Sequence, residues 1–440
     1  MDLETGTTRR RFLINAGVVV LASAYYPFAR PIFAQSSKTP LTIALIADLS
    51  GSGQKGGLLS QQSTQLAVDT INQAGGVGGL YSLNLVVEDS KTSATESVNA
   101  ANRLVNRGDI SFVIGPQRTN EILPIQPMFA AAEIPHIMIG STDRALTDAH
   151  ASAPLSLRYS PQDIMQMAPL AKHAVSTGHK KFFALGVDNG DGRDPVLAFE
   201  SLLGPLGATL MASEFYPFGN TDFSTLIAKF KTSGADALLV SDGLPTSVIA
   251  LINEYVLQGL ALDRFYGSIV FSGDTFFNQV AKKGQAEGII FPWFYDDGTP
   301  LRDFAGLPPA IEAIALNAAF QAETGKPAGP FATVQAWAWG SVKLVQQAIE
   351  GLISQSGSSS VANLHPVREL PQLTVEQFIL NVPAGSETGP KFKLTFGDAI
   401  GFYGCGQGDV RCGVGTYRAG QLVLLQDRSW TDELITGICG

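Results

Sequence analysis

The chain has 440 residues, of which 45% are hydrophobic and only 16% charged, a balance that excludes a disordered chain and supplies ample material for folded cores. A net charge of -9 argues against nucleic acid or an anionic lipid surface as partner. Three cysteines, all near the C-terminus, are too few for a disulfide framework.

The first 34 residues read as a targeting segment. Arg9-Arg10-Arg11-Phe12-Leu13 follows the twin-arginine pattern, and an apolar run from Leu13 to Ala24 comes next. That run is too short to span a bilayer comfortably, so residues 1–34 are expected to be a removed signal peptide of the twin-arginine pathway. The mature chain is then periplasmic and more acidic still. No later run of 18 apolar residues marks a membrane helix.

From Leu41 the pattern alternates. An apolar strand, Leu41–Ala47, ends in a glycine-rich loop, Asp48 to Gly57. Leu66, Ala67, Thr70, Ile71 and Ala74 recur at helical spacing, and Gly75-Gly76 stops them. Leu83, Leu85 and Val87 alternate as a strand, and a helix through Val98, Ala101, Leu104 and Val105 closes at Gly108. A strand at Phe112–Ile114 then leads to Gly115-Pro116 and the polar loop Gln117-Arg118-Thr119-Asn120. A helix over 122–132 and a strand over 134–139 follow, ending in Gly140-Ser141-Thr142-Asp143. Two strands separated by a helix argue for parallel pairing, which puts both polar loops at one carboxyl edge.

The alternation resumes after Pro161. Helix 162–177, strand 182–187 and the loop Asp188-Asn189-Gly190-Asp191-Gly192 come first. Helix 195–205, strand 209–215, helix 222–233 and strand 237–240 follow, then the loop Ser241-Asp242-Gly243. Helix 245–258 leads to strand 265–271 and to Ser272-Gly273-Asp274. Helices are expected near 308–324 and 331–352. Residues 354–362 are Ser/Gly-rich, and a β-like tail runs from Lys391 to Leu425. This is the pattern of two doubly wound α/β lobes with parallel sheets.

Several chemistries are poorly served. The loop Gly51–Gly57 lacks the Gly-Lys-Ser/Thr close of a phosphate loop. No G-x-S-x-G elbow occurs. His136, His150, His173, His179 and His365 are scattered without metal-ligand spacing, and Asp188–Asp194 has glycine at the third position of a calcium loop. Catalytic residues, metal and cofactor are therefore expected to be absent. In an oxidising compartment Cys405 and Cys412, which flank a glycine-rich turn, are placed to staple a hairpin. Arg118 has two readings: a bidentate holder of a carboxylate, or a surface or interlobe salt bridge. Trp337 and Trp339 read as helix packing.

The motifs Asp48-Leu49-Ser50-Gly51, Ala67 through Val77, Leu85 through Ser90, Thr221 through Leu226 and Gly329-Pro330-Phe331, in this order, resemble those of type I periplasmic binding proteins of ABC importers. The leucine/isoleucine/valine-binding group is the most similar. The resemblance implies two Rossmann-like lobes joined by three crossovers, near 157–161, 288–294 and 386–391. Lobe 1 would comprise 38–158 and 293–386, and lobe 2 159–290 and 391–440. It implies a small ligand, an amino acid or amide-like molecule, held between the lobes and passed to an ABC permease and its ATPase. The same fold also serves ligand-sensing regulatory proteins without a transport role, and an exported enzyme is a third reading.

By the resemblance, Thr119 and the loop Gly140, Ser141 and Thr142 hold the ligand's carboxylate, Asp274 meets its ammonium, and Phe331 is an aromatic at the rim. Asp191, and Gly243 beside Asp242, stand where the family has aromatic rings, so carboxylates replace rings on the second lobe. Gln54, Lys55 and Trp293 are expected to line or lid the cleft.

Overall fold

A computed structural model of the chain describes residues 38–148, 155–272, 274–293, 319, 321–322, 333–356, 392–394, 398–400 and 413–426. Two separate α/β layers account for most of them. The first sheet holds β1 (Thr39–Ala47), β2 (Tyr81–Asp89), β3 (Ile110–Ile114), β4 (His136–Met138) and β5 (Ser156–Arg158), in the order β2-β1-β3-β4-β5. The β1–β3, β3–β4 and β4–β5 pairs are parallel. In β1, Ile43 and Leu45 feed one core while Ala44 and Ile46 feed the other, as the two-residue period of a strand buried on both faces requires.

Helices α1 (Gln54–Gln73) and α2 (Ala94–Arg107) cross over between these strands. The start and stop of α2 are written locally. Ser93 accepts a hydrogen bond from the Glu96 amide at the N-terminus, and Gly108 takes a left-handed conformation at the C-terminus. The single helix expected over 122–132 is instead two short pieces, α3 (Thr119–Ile122) and α4 (Gln126–Ala131). Pro124 accounts for the break, since it has no amide proton to continue the helical ladder, whereas Pro127 sits in the first turn of α4, where none is needed. A short α5 (Ala145–Asp148) follows β4.

After β5 the chain enters the second layer through α6 (Asp163–Ser176). There β6 (Lys181–Val187), α7 (Gly190–Leu203), β7 (Thr209–Tyr216), α8 (Ser224–Thr232), β8 (Ala237–Ser241), α9 (Pro245–Leu257), β9 (Phe265–Gly267), α10 (Asp274–Gln279) and β10 (Ile290–Trp293) build the βα repeat. The strand expected to reach residue 271 stops at Gly267, because Phe271 folds back over that glycine into the core; a Cβ on Gly267 would lie 2.2 Å from its ring.

Helix α11 (Thr333–Ser356) packs against α1, with Trp337 and Trp339 buried in the first core, so the two tryptophans do serve helix packing. A two-stranded ladder, β11 (Phe392–Leu394) with β12 (Asp398–Ile400), lies beside α11. A hairpin of β13 (Gly413–Arg418) and β14 (Gln421–Gln426) completes the second sheet, whose order is β14-β13-β10-β9-β8-β6-β7. Its βα strands are parallel, and the β10–β13 and β13–β14 pairs antiparallel. The second lobe's strand runs past the expected limit of residue 290, because Phe291, Pro292 and Trp293 continue the register opposite Gly415, Val414 and Gly413.

Each sheet reverses its winding once, between β1 and β3 and between β6 and β8. These are the switch points at which the carboxyl ends of strands open into a crevice. The helix beside each crevice approaches its strand unusually closely, and a glycine permits it. A Cβ on Gly57 of α1 would sit 2.0 Å from the Asp48 carbonyl oxygen, and one on Gly192 of α7 would sit 2.0 Å from that of Val187. We expect Gly57→Ala and Gly192→Ala each to lower stability by about 1–3 kcal/mol, the usual cost of overpacking, measured by urea unfolding. Wild-type stability in both would contradict this packing.

Candidate functional site

The first lip of the crevice is built on Asp48, which follows β1 and has no exposed surface. Its Oδ1 accepts a hydrogen bond from Ser90 Oγ at 2.7 Å, and its Oδ2 accepts one from Arg118 Nε at 3.2 Å. The glycine-rich loop wraps this carboxylate: a Cβ on Gly53 would fall 2.0 Å from Asp48 Oδ2. The Gly53 amide donates to Thr92 Oγ1 at 2.9 Å. The loop's glycines thus answer a packing need. Gln54 and Lys55 lie exposed on the first turn of α1, and Gln54 Nε2 donates back to the Leu49 carbonyl at 3.0 Å.

The two polar loops that leave β3 and β4 meet. Thr119 Oγ1 and Ser141 Oγ are 2.6 Å apart. Gly140 has a φ of +93° and lies over Gln117, where a Cβ would be 2.9 Å from the Gln117 Cβ. Arg118 lies between them with its side chain 35% exposed. Among the described residues its one ion pair is through Nε to Asp48, which leaves the far end of the guanidinium open. Thr142 is turned toward the second layer, and its carbonyl accepts the Asp163 amide at 3.1 Å.

Asp143 reaches furthest across. Its Oδ1 caps the Ala145 amide at 2.8 Å, and its carbonyl accepts from the fully buried Arg158. Its Oδ2 faces the start of α7, 2.8 Å from the place of a Cβ on Gly190. Beside it Asp194 is pushed up to about 7, first by burial and then by the hydrogen bond and charge of Asp143. Burial also brings the Arg158 guanidinium down to about 10, opposed by Asp163, Asp143 and Asp148.

The second lip starts at Asp191 on the first turn of α7. Its side chain is exposed, and desolvation by the surrounding protein raises its carboxyl. Arg118, from the opposite lip, lowers it, while Asp242 and Asp143 raise it. Arg118 and Asp191 therefore feel each other across the crevice without forming an ion pair. Among the described residues the Asp191 carboxylate has no hydrogen-bond partner. Its backbone is fixed by Ser241 Oγ, which donates to the Asp191 carbonyl at 2.8 Å.

Other expected residues are placed differently. Asp242 is 1% exposed, with Oδ2 held by the Tyr216 hydroxyl at 3.0 Å and Oδ1 by the Leu244 amide at 2.7 Å. Burial still raises its carboxyl. Both oxygens are engaged inside the lobe, so Asp242 anchors the second lip instead of facing the cleft. Trp293 is 8% exposed and packs in the second core at the end of β10, so it does not line the crevice; its pairing with β13 draws it inward. The backbone of Asp274 opens α10, and its side chain lies outside the described residues. Phe331, Cys405, Cys412 and Cys439 lie outside them too. Sequence reasoning passed over Asp48, Asp143 and Asp194. The available signal was positional, since Asp48 and Asp143 each end a run of residues at a strand's carboxyl end.

Two parallel-sheet lobes with a polar crevice at facing switch points define a two-lobed solute-binding protein. The family model for periplasmic binding proteins matches residues 40–383, and the chain belongs to that family. Leu/Ile/Val-binding protein BraC3 of Rhizobium johnstonii is 29% identical over 207 residues, 47% of this chain and 55% of that protein. The chain spans about half the length of the curated relatives it matches. Among solved structures, LivJ of Streptococcus pneumoniae in complex with isoleucine has a TM-score of 0.69 at 21% identity, covering 89% of this chain and all of that one. A solute-binding protein of R. palustris in complex with benzoate has a TM-score of 0.68 at 15% identity, covering 88% and 96%. At these identities the likeness is one of fold. The curated relative is named as a Leu/Ile/Val-binding protein and LivJ as a branched-chain amino acid transporter substrate-binding protein.

The hydrogen bond between Thr119 and Ser141 links the loops that follow β3 and β4. A double-mutant cycle of Thr119→Val and Ser141→Ala is expected to give a coupling of about 1 kcal/mol in unfolding free energy. Strict additivity would show that the loops are independent.

Proposed function

We propose that this protein is an extracytoplasmic receptor that binds a small polar solute, an amino acid or amide-like molecule, between its lobes and delivers it to an ABC importer, and that of these the zwitterionic amino acid fits best. One observation carries the reading: a partly exposed guanidinium, held through Nε by Asp48, stands on one lip, and a carboxylate without a hydrogen-bond partner among the described residues stands on the other, near enough for the one charge to bear on the other. A ligand with a negative and a positive end fills that gap. Its carboxylate takes the open end of Arg118, with the hydroxyls of Thr119 and Ser141 close by, and its ammonium takes Asp191. Because each end belongs to a different lobe, the ligand gains most from the closed form and so selects it. The permease and its ATPase would read that closed form. Asp274, opening α10, and Phe331 remain the further ligand contacts that the resemblance implies.

The twin-arginine pattern in residues 1–34 supports export and a periplasmic location. Among the described residues no helix is long and apolar enough to cross a membrane. Relatives that bind leucine, isoleucine and valine favour an α-amino acid, while a structural neighbour holding benzoate raises an aromatic acid as the competing ligand. An aromatic acid leaves Asp191 without a partner, so the charge arrangement favours the zwitterion.

A thermal-shift panel of amino acids, amides, urea and aromatic acids tests this. A ligand at about a hundredfold its dissociation constant stabilises the folded state by about 2.7 kcal/mol, readily seen as a rise in Tm. We expect that rise with an amino acid, and its loss in both Arg118→Ala and Asp191→Asn. Stabilisation by benzoate that survives Asp191→Asn would favour the aromatic acid, and no shift with any solute would defeat the proposal.

A further inference from the structure

Glu121 stands three residues beyond Arg118, on the short helix that Arg118 caps; the Glu121 amide donates to the Arg118 carbonyl at 3.0 Å. Its side chain has no exposed surface, and neither carboxylate oxygen accepts a hydrogen bond from a protein donor. An ionised carboxylate so placed bears the full cost of lost solvation. Of its neighbours Asp48 makes ionisation worse, by its charge and as a hydrogen-bond acceptor, while Ser90 and Arg118 oppose that only in part. The end of β1 brings Asp48, already engaged by Ser90 and by Arg118. The end of β2 brings only the hydroxyl of Ser90. Helices α2 and α5, packed on the same turn, bring Glu96 and Asp148, each in a partly exposed ion pair, with Lys91 and Arg144. Among the described residues Arg118 is the cation whose charge bears on Glu121, and Asp48 holds its Nε.

We propose that Glu121 is a positioning residue for Arg118: as a neutral acid it donates its proton to Asp48, so that Arg118 meets one negative charge beneath it and keeps the rest of its guanidinium toward the cleft. This rests on the reading of the cleft as a zwitterion site. A neutral Glu121 satisfies its own buried hydroxyl and gives the Asp48 carboxylate another donor. Ionisation puts a second negative charge under Arg118. The guanidinium is then drawn down and its charge neutralised, and the lip loses its hold on an anionic group. Burial first, and Asp48 second, push the Glu121 carboxyl up to about 8, which places the change just above neutral pH. The sign follows. The folded-state value is raised, so the stability associated with the proton is complete below the ordinary carboxylate range and declines as pH rises toward about 8.

The test follows the Arg118 Nε–H resonance in 15N-labelled, ligand-free protein between pH 6 and 9, assigned by its absence in Arg118→Lys. Wild type should show a titration with a midpoint near 8, and Glu121→Gln, which keeps a donor toward Asp48 without an ionisable group, should show none. A pH-independent Arg118 signal in wild type, or the same titration in Glu121→Gln, overturns the proposal. In parallel, affinity for L-leucine should fall about fivefold or more between pH 6 and 8.5 in wild type, as for loss of a charge-assisted contact, and hold within about twofold in Glu121→Gln. A purely structural role would change stability without separating these pH profiles. If leucine does not bind wild type while the Arg118 signal titrates through Glu121, the zwitterion reading fails and the positioning role stands.

Discussion

A single buried carboxylate, Asp48, constrains the whole first lip. It sits at the carboxyl end of β1, an inner strand of the first sheet, with no exposed surface. A charge there must be met by donors, and the chain supplies them from distant points: Ser90 at the end of β2 and Arg118 beyond β3. Its carboxylate leaves no room for a side chain at position 53, and its backbone carbonyl leaves none at position 57. The glycine-rich loop, the close seat of α1 and the orientation of the site's arginine are thus consequences of one residue. That explains why the loop looks like a phosphate cradle without its lysine and hydroxyl. The glycines serve a carboxylate that the protein already contains.

The second lip repeats the device with another outcome. Gly192 lets α7 approach β6 as Gly57 lets α1 approach β1, but the carboxylate that follows, Asp191, is left open to the cleft while Asp242 is capped behind it. Arg118 on the first lip and Asp191 on the second therefore present opposite charges. The loop after β4 also reaches the passage from β5 into α6. Ser160 Oγ donates to the Ser141 carbonyl, Gln162 Nε2 donates to Thr147 Oγ1 at 3.1 Å, and the Asp163 amide donates to the Thr142 carbonyl. The loop after β4 and the passage from β5 into α6 are thus joined directly by hydrogen bonds, without an intermediate element.

Much of this was legible in the chain. Period-two runs such as Ile43 to Ile46 and the Ser93–Gly108 helix signals carry their structure locally, and the order of βα units carries the two sheets. Thr119 and Ser141 were identifiable as partners because parallel strands must bring their following loops to one edge. The failures are tertiary. Nothing local says that Phe271 will fold over Gly267 and end a strand early. Asp242 and Asp191 look alike in their loops; only the place of Tyr216, 26 residues away, decides that one is capped. Trp293 looked like a rim residue until its pairing with Gly413 of β13 drew it into the core. Pro124 divides the helix although the apolar periodicity runs on through it, because a missing amide proton leaves no trace in the hydrophobic pattern.

The central claim is that the two lips hold opposite ends of one zwitterion. Isothermal titration calorimetry of wild-type protein with L-leucine, leucine amide and 4-methylpentanoate tests it most directly, since the last two each lack one charged end. The account predicts binding of L-leucine, with each analogue weaker by at least about tenfold, a loss of about 1.4 kcal/mol or more per missing charge. Equal binding of 4-methylpentanoate and L-leucine would leave Asp191 without a role and contradict the account.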